Sequence, residues 1–359
     1  MRSAGHSTNE LAIAPERDHI NPSKELPLRS LGRIWILRAA CVSLAVAWLS
    51  GCPISEPLSI AVIPRTSGTI LWEPEDVGAQ MAASELGERI YWNASTREDD
   101  IDGQIALVER MRPGRYRGLA LAPDHALALI TPVRRALASG LPIVIVGSPL
   151  AIPANQNLSY VLNDEEEGGR IAAARVAALL HDQGKVALIG INPDITGILA
   201  RADSFERNLT ALSPRIEVVI RRLGTFNYAH EQEAAEKVLR EHPDLNVIVA
   251  LTSTSTRGAI STIGNSRRLQ SVKVIGFDPE SLPFENECLD SMIVQNTRGM
   301  GDRAVRLIHA RLRGESLPAR VDFKPILITR DNVDSAALRE MLYARWRPGA
   351  ADLKRSVTE

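Results

Sequence analysis

Leu141-Pro142-Ile143-Val144-Ile145-Val146-Gly147-Ser148 is the stretch that decides the fold. Ile143 to Val146 are β-branched and stand in a row with no polar residue between them. A strand with one wet face alternates apolar and polar side chains. An unbroken apolar run is covered on both faces, as in a parallel sheet between layers of helix. Similar runs stand at 59–63, 118–122, 186–189, 247–251 and 272–277. Between them lie segments of helical period, at 75–86, 101–111, 126–138, 165–180, 231–241 and 299–312. Strict alternation of strand and helix requires right-handed parallel crossovers. The alternation runs twice, over about 59–161 and again over about 185–294. The expected fold is therefore α/β, with two lobes, each a doubly wound parallel sheet. Ligands of such sheets bind outside the strand C-terminal ends, so a cleft between the lobes is expected.

Composition sets the bounds. A chain of 359 residues holds two domains of ordinary size, and 45% hydrophobic with 24% charged residues supports a packed core. The formal net charge of -1 calls for neither nucleic acid nor an acidic membrane surface. Aromatic residues are only 4% of the chain, so the position of each one carries information.

The N-terminal part reads differently. An apolar run at 39–50 follows Arg29, Arg33 and Arg38. A basic segment, a short apolar segment and small residues before a cleavage point describe a secretory signal. The run is too short for a spanning helix, which needs about 20 apolar residues. Leu49-Ser50-Gly51-Cys52 resembles the lipobox of bacterial lipoproteins. The resemblance implies that 1–51 is a signal peptide, that Cys52 becomes the lipidated N-terminus, and that 52–57 is a tether. The protein would then be exported and membrane-anchored, facing the periplasm or the cell exterior. The leader 1–28 is long and mixed in charge for a signal; a start site placed too far upstream would explain it, and a product beginning near Leu28 would support that explanation. Of three cysteines, Cys41 lies in the signal and Cys52 at the lipid site; Cys288 alone remains, so the mature chain forms no internal disulfide.

Several chemistries find no support. The chain has no Gly-x-Gly-x-x-Gly turn, phosphate-loop lysine, Gly-x-Ser-x-Gly elbow or Cys-x-x-Cys pair. Its seven histidines lack metal-ligand spacing. Neither an enzyme activity, a cofactor nor a metal is expected. The acidic run Asp164-Glu165-Glu166-Glu167 reads as a helix start, with Asp164 as cap and acids against the positive helix end.

Four further motifs, in this order, resemble the type I periplasmic binding proteins, particularly the ribose-type sugar-binding components of ABC transporters. They are Leu141-Pro142-Ile143-Val144-Ile145, Asn163-Asp164 with Gly168-Gly169-Arg170, Arg201-Ala202-Asp203-Ser204-Phe205, and Ile275-Gly276-Phe277-Asp278. The resemblance covers about 58–329. It implies two lobes joined by a three-strand hinge: 58–162 with 296–324, and 163–295 with 325–330, followed by a tail at 331–359. It also implies ligand-binding roles. Asp278, at a strand end, would accept hydroxyl hydrogen bonds; helix capping before Pro279 is the alternative. Arg201 would hold two ligand oxygens with its planar fork, unless it is an exposed helix arginine. Gln295 would offer donor and acceptor near the hinge. Trp72 would stack on the apolar face of a sugar, or else pack in the core or at the rim.

Where the ribose-type pattern has an Asp-Arg clamp, this chain reads Gly147-Ser148, and where it has Asn-Asp, Thr252-Ser253. Ser148 and Thr252 then become the candidate polar contacts, and a bulkier or less polar ligand becomes admissible. The function implied is a monomeric, lipid-anchored solute-binding protein that closes on a sugar-like ligand and docks on an ABC permease. A sensory protein of the same fold, signalling to a receptor or kinase, is the alternative.

Overall fold

The computed structural model describes residues 58–69, 71–266, 271–278 and 284–342. Cys52, the signal and tether, the Pro279 side of the Asp278 cap, and the end of the tail lie outside the described residues.

The first sheet contains β1 (Ser59–Ile63), β2 (Ile90–Trp92), β3 (Tyr116–Leu121), β4 (Ile143–Gly147), β5 (Leu158–Asn163) and β11 (Arg320–Phe323), in the order β11-β5-β4-β3-β1-β2. The second contains β6 (Gly184–Ile191), β7 (Ile216–Leu223), β8 (Val247–Ala250), β9 (Lys273–Phe277), β10 (Leu289–Val294) and β12 (Ile326–Thr329), in the order β12-β10-β9-β8-β6-β7. Among the described residues, the strands of both sheets pair in parallel except β10 with β12. The fold is α/β with two doubly wound sheets. The unbroken apolar runs sit at sheet centres: Ile60 and Val62 enter one core, Ala61 and Ile63 the other. In the second sheet, Ile248 and Ala250 face one core, Val247 and Val249 the other. Period-2 alternation of apolar with apolar is what burial on both faces requires.

The helices cover both faces. α1 (Glu73–Leu86), α2 (Ile101–Glu109), α3 (Ile130–Ala138) and α8 (Thr297–Leu312) flank the first sheet. α4 (Glu165–Leu180), α5 (Thr196–Leu212), α6 (Tyr228–Glu241), α7 (Ser253–Gly264) and the short α9 (Ala336–Leu342) flank the second. Two helix pairs pack backbone to backbone at glycines. A Cβ on Gly78 would lie 1.9 Å from the Arg298 carbonyl oxygen, and one on Gly169 would lie 2.4 Å from that of Arg201. The Gly168-Gly169 motif thus sets how close α5 approaches α4, and with it where Arg201 points.

The chain passes between the sheets three times: after β5, after β10, and between β11 and β12. Strand order reverses between β1 and β3 in one sheet and between β6 and β8 in the other. Ligands of open sheets bind at such switch points. Arg65 and Asp124 follow β1 and β3, and Asn192 and Thr252 follow β6 and β8. A seam crosses between the lobes where the Ala126 N–H donates to the Asp194 carbonyl at 2.8 Å and His125 faces the Asp194 carboxylate at 3.5 Å. Among the described residues, no helix is long and apolar enough to cross a membrane.

Candidate functional site

The second-lobe wall is built around Arg201. Its helix, α5, carries it inward beside Gly169, and it is 1% exposed. Its guanidinium donates to Glu165 Oε2 at 2.6 Å and to the Leu251 carbonyl at 2.7 Å, and pairs with Asp278 Oδ2 at 2.9 Å. It also lies over the Phe277 ring, 4.2 Å from the centroid. Burial opposes its charge, but Asp278 and Glu165 outweigh that and hold its pKa above the ordinary range. Burial pushes the Glu165 carboxyl up, and Arg201 pulls it back only in part. The exposed-arginine alternative for Arg201 therefore falls.

Asp278 stands directly after β9 with φ +48, a left-handed conformation that aspartate tolerates. Gln295 follows β10, and its Nε2 donates to Asp278 Oδ2 at 2.8 Å. Asp278 Oδ1 and Gln295 Oε1 are both buried and have no hydrogen-bond partner. The two strand ends therefore bring two unused acceptors to the cleft.

The first-lobe wall is built around Arg65, which follows β1. It donates to Ser148 Oγ at 3.1 Å, while its Nε has no hydrogen-bond partner. Its guanidinium carbon lies 5.3 Å from the centroid of the Trp72 ring. Glu75 and Asp124 feel its field but do not bond it; all four of their carboxylate oxygens are buried without a hydrogen-bond partner. Burial pushes Glu75 up to about 8 and Asp124 up to about 9, against a smaller pull from Arg65. Burial thus favours the protonated, neutral form of both carboxyls.

Three of the candidate contacts are engaged within the protein in this structure. Trp72 is 0% exposed; Arg65 faces its ring, and its Nε1–H donates to Glu98 Oε1 at 2.6 Å. In this structure the ring takes the core alternative, as a seat for an arginine and a wall of the core. The Thr252 hydroxyl accepts from the Ser255 N–H at 3.1 Å in a reciprocal capping box at the start of α7, so its bonds go to the helix. Ser148 Oγ is taken by Arg65 and packs where a Cβ on Gly197 would lie at 2.7 Å. The acidic run divides: Asp164 caps α4 by accepting from the Glu167 N–H at 3.0 Å, while Glu165 turns into the cleft. Glu167 accepts both hydrogen bonds of Arg170, one turn along the same helix.

Arg65, Glu98, Glu165 and Phe226 join Arg201, Thr252, Asp278 and Gln295 around an inner cavity of about 10 Å³. Position after a strand end was the available signal for Arg65, and aromatic scarcity for Phe226. Glu98, in the polar run Thr96-Arg97-Glu98-Asp99-Asp100, offered none. Outside this inner space lies a cavity of about 500 Å³, lined by both lobes. Among the described residues, no group of carboxylates, histidines or cysteines could hold a metal ion.

Comparison with known proteins agrees with this geometry. The D-ribose/D-allose-binding protein of Pseudomonas aeruginosa is 25% identical over 252 residues, 66% of this chain and 78% of that protein. The D-allose-binding periplasmic protein of Escherichia coli is 25% identical over 269 residues, 72% of this chain and 86% of that one. An ABC transporter solute-binding protein from Agrobacterium vitis, solved with α-D-tagatopyranose, superposes with a TM-score of 0.74 at 23% identity, covering 80% of this chain and 99% of its own. That likeness concerns the fold. These relatives are binding proteins rather than enzymes. Residues 60–316, which hold five strands of each sheet and both arginine-centred walls, match the family described as periplasmic binding protein domain, and the chain belongs to that family.

Proposed function

We propose that this protein is an extracytoplasmic solute-binding component of an ABC importer, that it takes a sugar or sugar-like solute between its two lobes, and that Cys52 anchors it to the membrane by lipid. One observation carries the solute-binding reading: Asp278 Oδ1 and Gln295 Oε1 lie buried and unpartnered at neighbouring strand ends facing the cleft. A buried acceptor without a donor costs about 1–3 kcal/mol, and a hydroxyl-bearing ligand supplies donors. Arg65 Nε is an unused donor on the opposite wall. The named relatives bind ribose and allose, which are polyhydroxylated.

The moving bodies are 58–162 with 296–324 and 163–295 with 325–330. Each chain crossing is a few residues long, which suits a hinge closure. Closure would exclude water from charged groups contributed by both lobes, and the closed form would dock on a permease as a monomer. At Cys52, acyl chains contribute about 0.8 kcal/mol for each buried CH₂, and more than one chain gives stable anchoring.

The test is thermal unfolding of the full chain against pentoses, hexoses and sugar alcohols. A ligand at 100 times its Kd adds about 2.7 kcal/mol, read as a raised midpoint. Silence across the panel would refute the sugar reading. Cys52→Ser should move the protein from the membrane fraction to the soluble fraction; a variant that stays with the membrane would refute lipid anchoring.

A further inference from the structure

The formal net charge of -1 conceals an uneven distribution. The strands of the first sheet all pair in parallel, so their C-terminal ends face the cleft and their N-terminal ends form one base. The helices between them run back the other way, so the segments that join a helix end to the next strand gather at this base. They are 87–89 after α1, 110–115 after α2, 139–142 after α3 and 313–319 after α8. Arg89, Arg110, Arg112 and Arg115 stand in these segments, all exposed. Arg110 and Arg112 donate to the backbone carbonyls of Ala106 and Glu109, and Arg115 lies over the Tyr116 ring. None of the four pairs with a carboxylate among the described residues.

The acids at the same end are already engaged. Glu88 is bonded by Arg117 and His309, Glu109 by Arg135, and Glu315 faces Arg313 at 3.5 Å. Cations at helix C-termini offset the helix dipole, but Arg112 and Arg115 stand beyond α2, in the loop. The chain enters the first lobe within this basic patch. Ser59 is in register with Tyr116, which lies between Arg115 and Arg117, and the Ile60 N–H donates to the Arg89 carbonyl at 2.8 Å. Leu58 stands six residues after Cys52. A chain of that length spans at most about 20 Å. A lipid at Cys52 would therefore hold the point of entry within a few Debye lengths of the bilayer at physiological salt.

Resting on the lipid-anchoring reading above, we infer that the base of the first lobe is a membrane-facing surface, and that Arg89, Arg110, Arg112 and Arg115 bind anionic phospholipid headgroups there. The planar fork of arginine holds two phosphate oxygens, and basic groups kept near an anionic leaflet are drawn onto it. The acyl anchor keeps the protein at the membrane; the base sets its orientation. With the base against the lipid, the strand C-terminal ends point away from the bilayer, and the cleft opens to the solution that carries the solute.

The experiment is co-sedimentation of the full Cys52→Ser chain, which has no acyl anchor, with two kinds of vesicle. One is phosphatidylcholine alone; the other contains an equal part of phosphatidylglycerol. The first accounts for whatever the apolar run at 39–50 contributes. Both are repeated with Arg89→Gln, Arg110→Gln, Arg112→Gln and Arg115→Gln combined, and with the loop pair Arg112→Gln and Arg115→Gln alone. We expect the parent to bind the mixed vesicles about ten-fold or more tighter, since each basic group close to an anionic surface contributes roughly five-fold. Added salt should abolish that preference. The combined variant should lose it at an unchanged unfolding midpoint, and the loop pair should lose part of it. No preference in the parent, or a preference that both variants keep, would overturn the basic surface; in the second case the arginines of the leader would carry it. Anchoring is read separately, by fractionation of the unmutated chain. A soluble unmutated chain would refute the lipid anchor and leave the headgroup surface standing on the vesicle result.

Discussion

Each lobe presents to the cleft a buried arginine set against an aromatic ring with two carboxyl groups nearby, yet the two walls are organised differently. In the second lobe, Arg201 lies over Phe277 and is bonded to Glu165, Asp278 and a backbone carbonyl. In the first, Arg65 faces Trp72 but has one hydrogen bond, to a serine hydroxyl, and Glu75 and Asp124 stay out of reach, their neutral forms favoured by burial. The difference follows from geometry. Glu165 opens α4 and Asp278 ends β9, so both carboxylates stand at element ends aimed at the same point. Glu75 is held in the first turn of α1, against Gly301 of α8, where no donor reaches it. The second-lobe arginine is bonded through all three nitrogens, and the unused capacity of its wall lies in the acceptors Asp278 Oδ1 and Gln295 Oε1; the first-lobe arginine keeps an unused donor of its own, Nε.

The largest test of this contrast is Arg201→Met. It leaves Glu165 and Asp278 buried without their cation, and breaking a buried pair costs about 3–5 kcal/mol. Chemical denaturation should show that loss, whereas Arg65→Met should cost about 1.5–3 kcal/mol, the range of one charge-assisted bond. Equal losses would break the comparison. Trp72→Phe comes next. It removes the Nε1–H donor to Glu98 while keeping a ring beside Arg65, and a loss of about 1.5–3 kcal/mol is expected in the same measurement. A neutral outcome would mean that water replaces that bond.

Glu75→Gln sharpens the contrast through pH. The Glu75 carboxyl has a pKa of about 8 in the folded protein, against an ordinary value of 4.5, because of burial. Between those values the folded state holds a proton that the unfolded state has released. Its stabilising effect is complete below about pH 4.5 and is lost as pH rises through about 8. Unfolding midpoints of the wild type should therefore fall across that window, and Glu75→Gln, which cannot titrate, should flatten part of the slope. Asp124, pushed by burial up to about 9, adds to the same slope, as do Glu165 and Glu231, which burial also raises. A slope unchanged by Glu75→Gln would place a charged Glu75 in the folded wall.

The site was legible in proportion to how locally its residues are determined. Asp278 and Gln295 could be read because each follows an apolar strand, and the strand end dictates where they stand. Arg201 could be read from its motif, and Gly169 explains its approach. Glu165 was visible only as a helix-start acid, since nothing within its own helix indicates that it meets an arginine 36 residues on. Trp72 was visible as an aromatic near a strand end, but its partners, Arg65 and Glu98, were not. In the tail, Leu338, Met341 and Leu342 bury themselves in the core of the second lobe, a docking that the sequence did not disclose.

The sequence alone determined that this chain makes two parallel, helix-covered sheets with a cleft between their strand ends. Burial on both faces demands continuous apolar runs, and that demand is written residue by residue. The tertiary structure decided how the cleft is filled: which carboxylates pair, which arginine covers the tryptophan, and how the space divides into about 10 Å³ inside and about 500 Å³ at the mouth. Those outcomes rest on contacts such as Arg65 with Ser148, 83 positions apart, and Trp72 with Glu98, 26 apart. Such pairings depend on where whole elements pack, and local propensity carries no record of them.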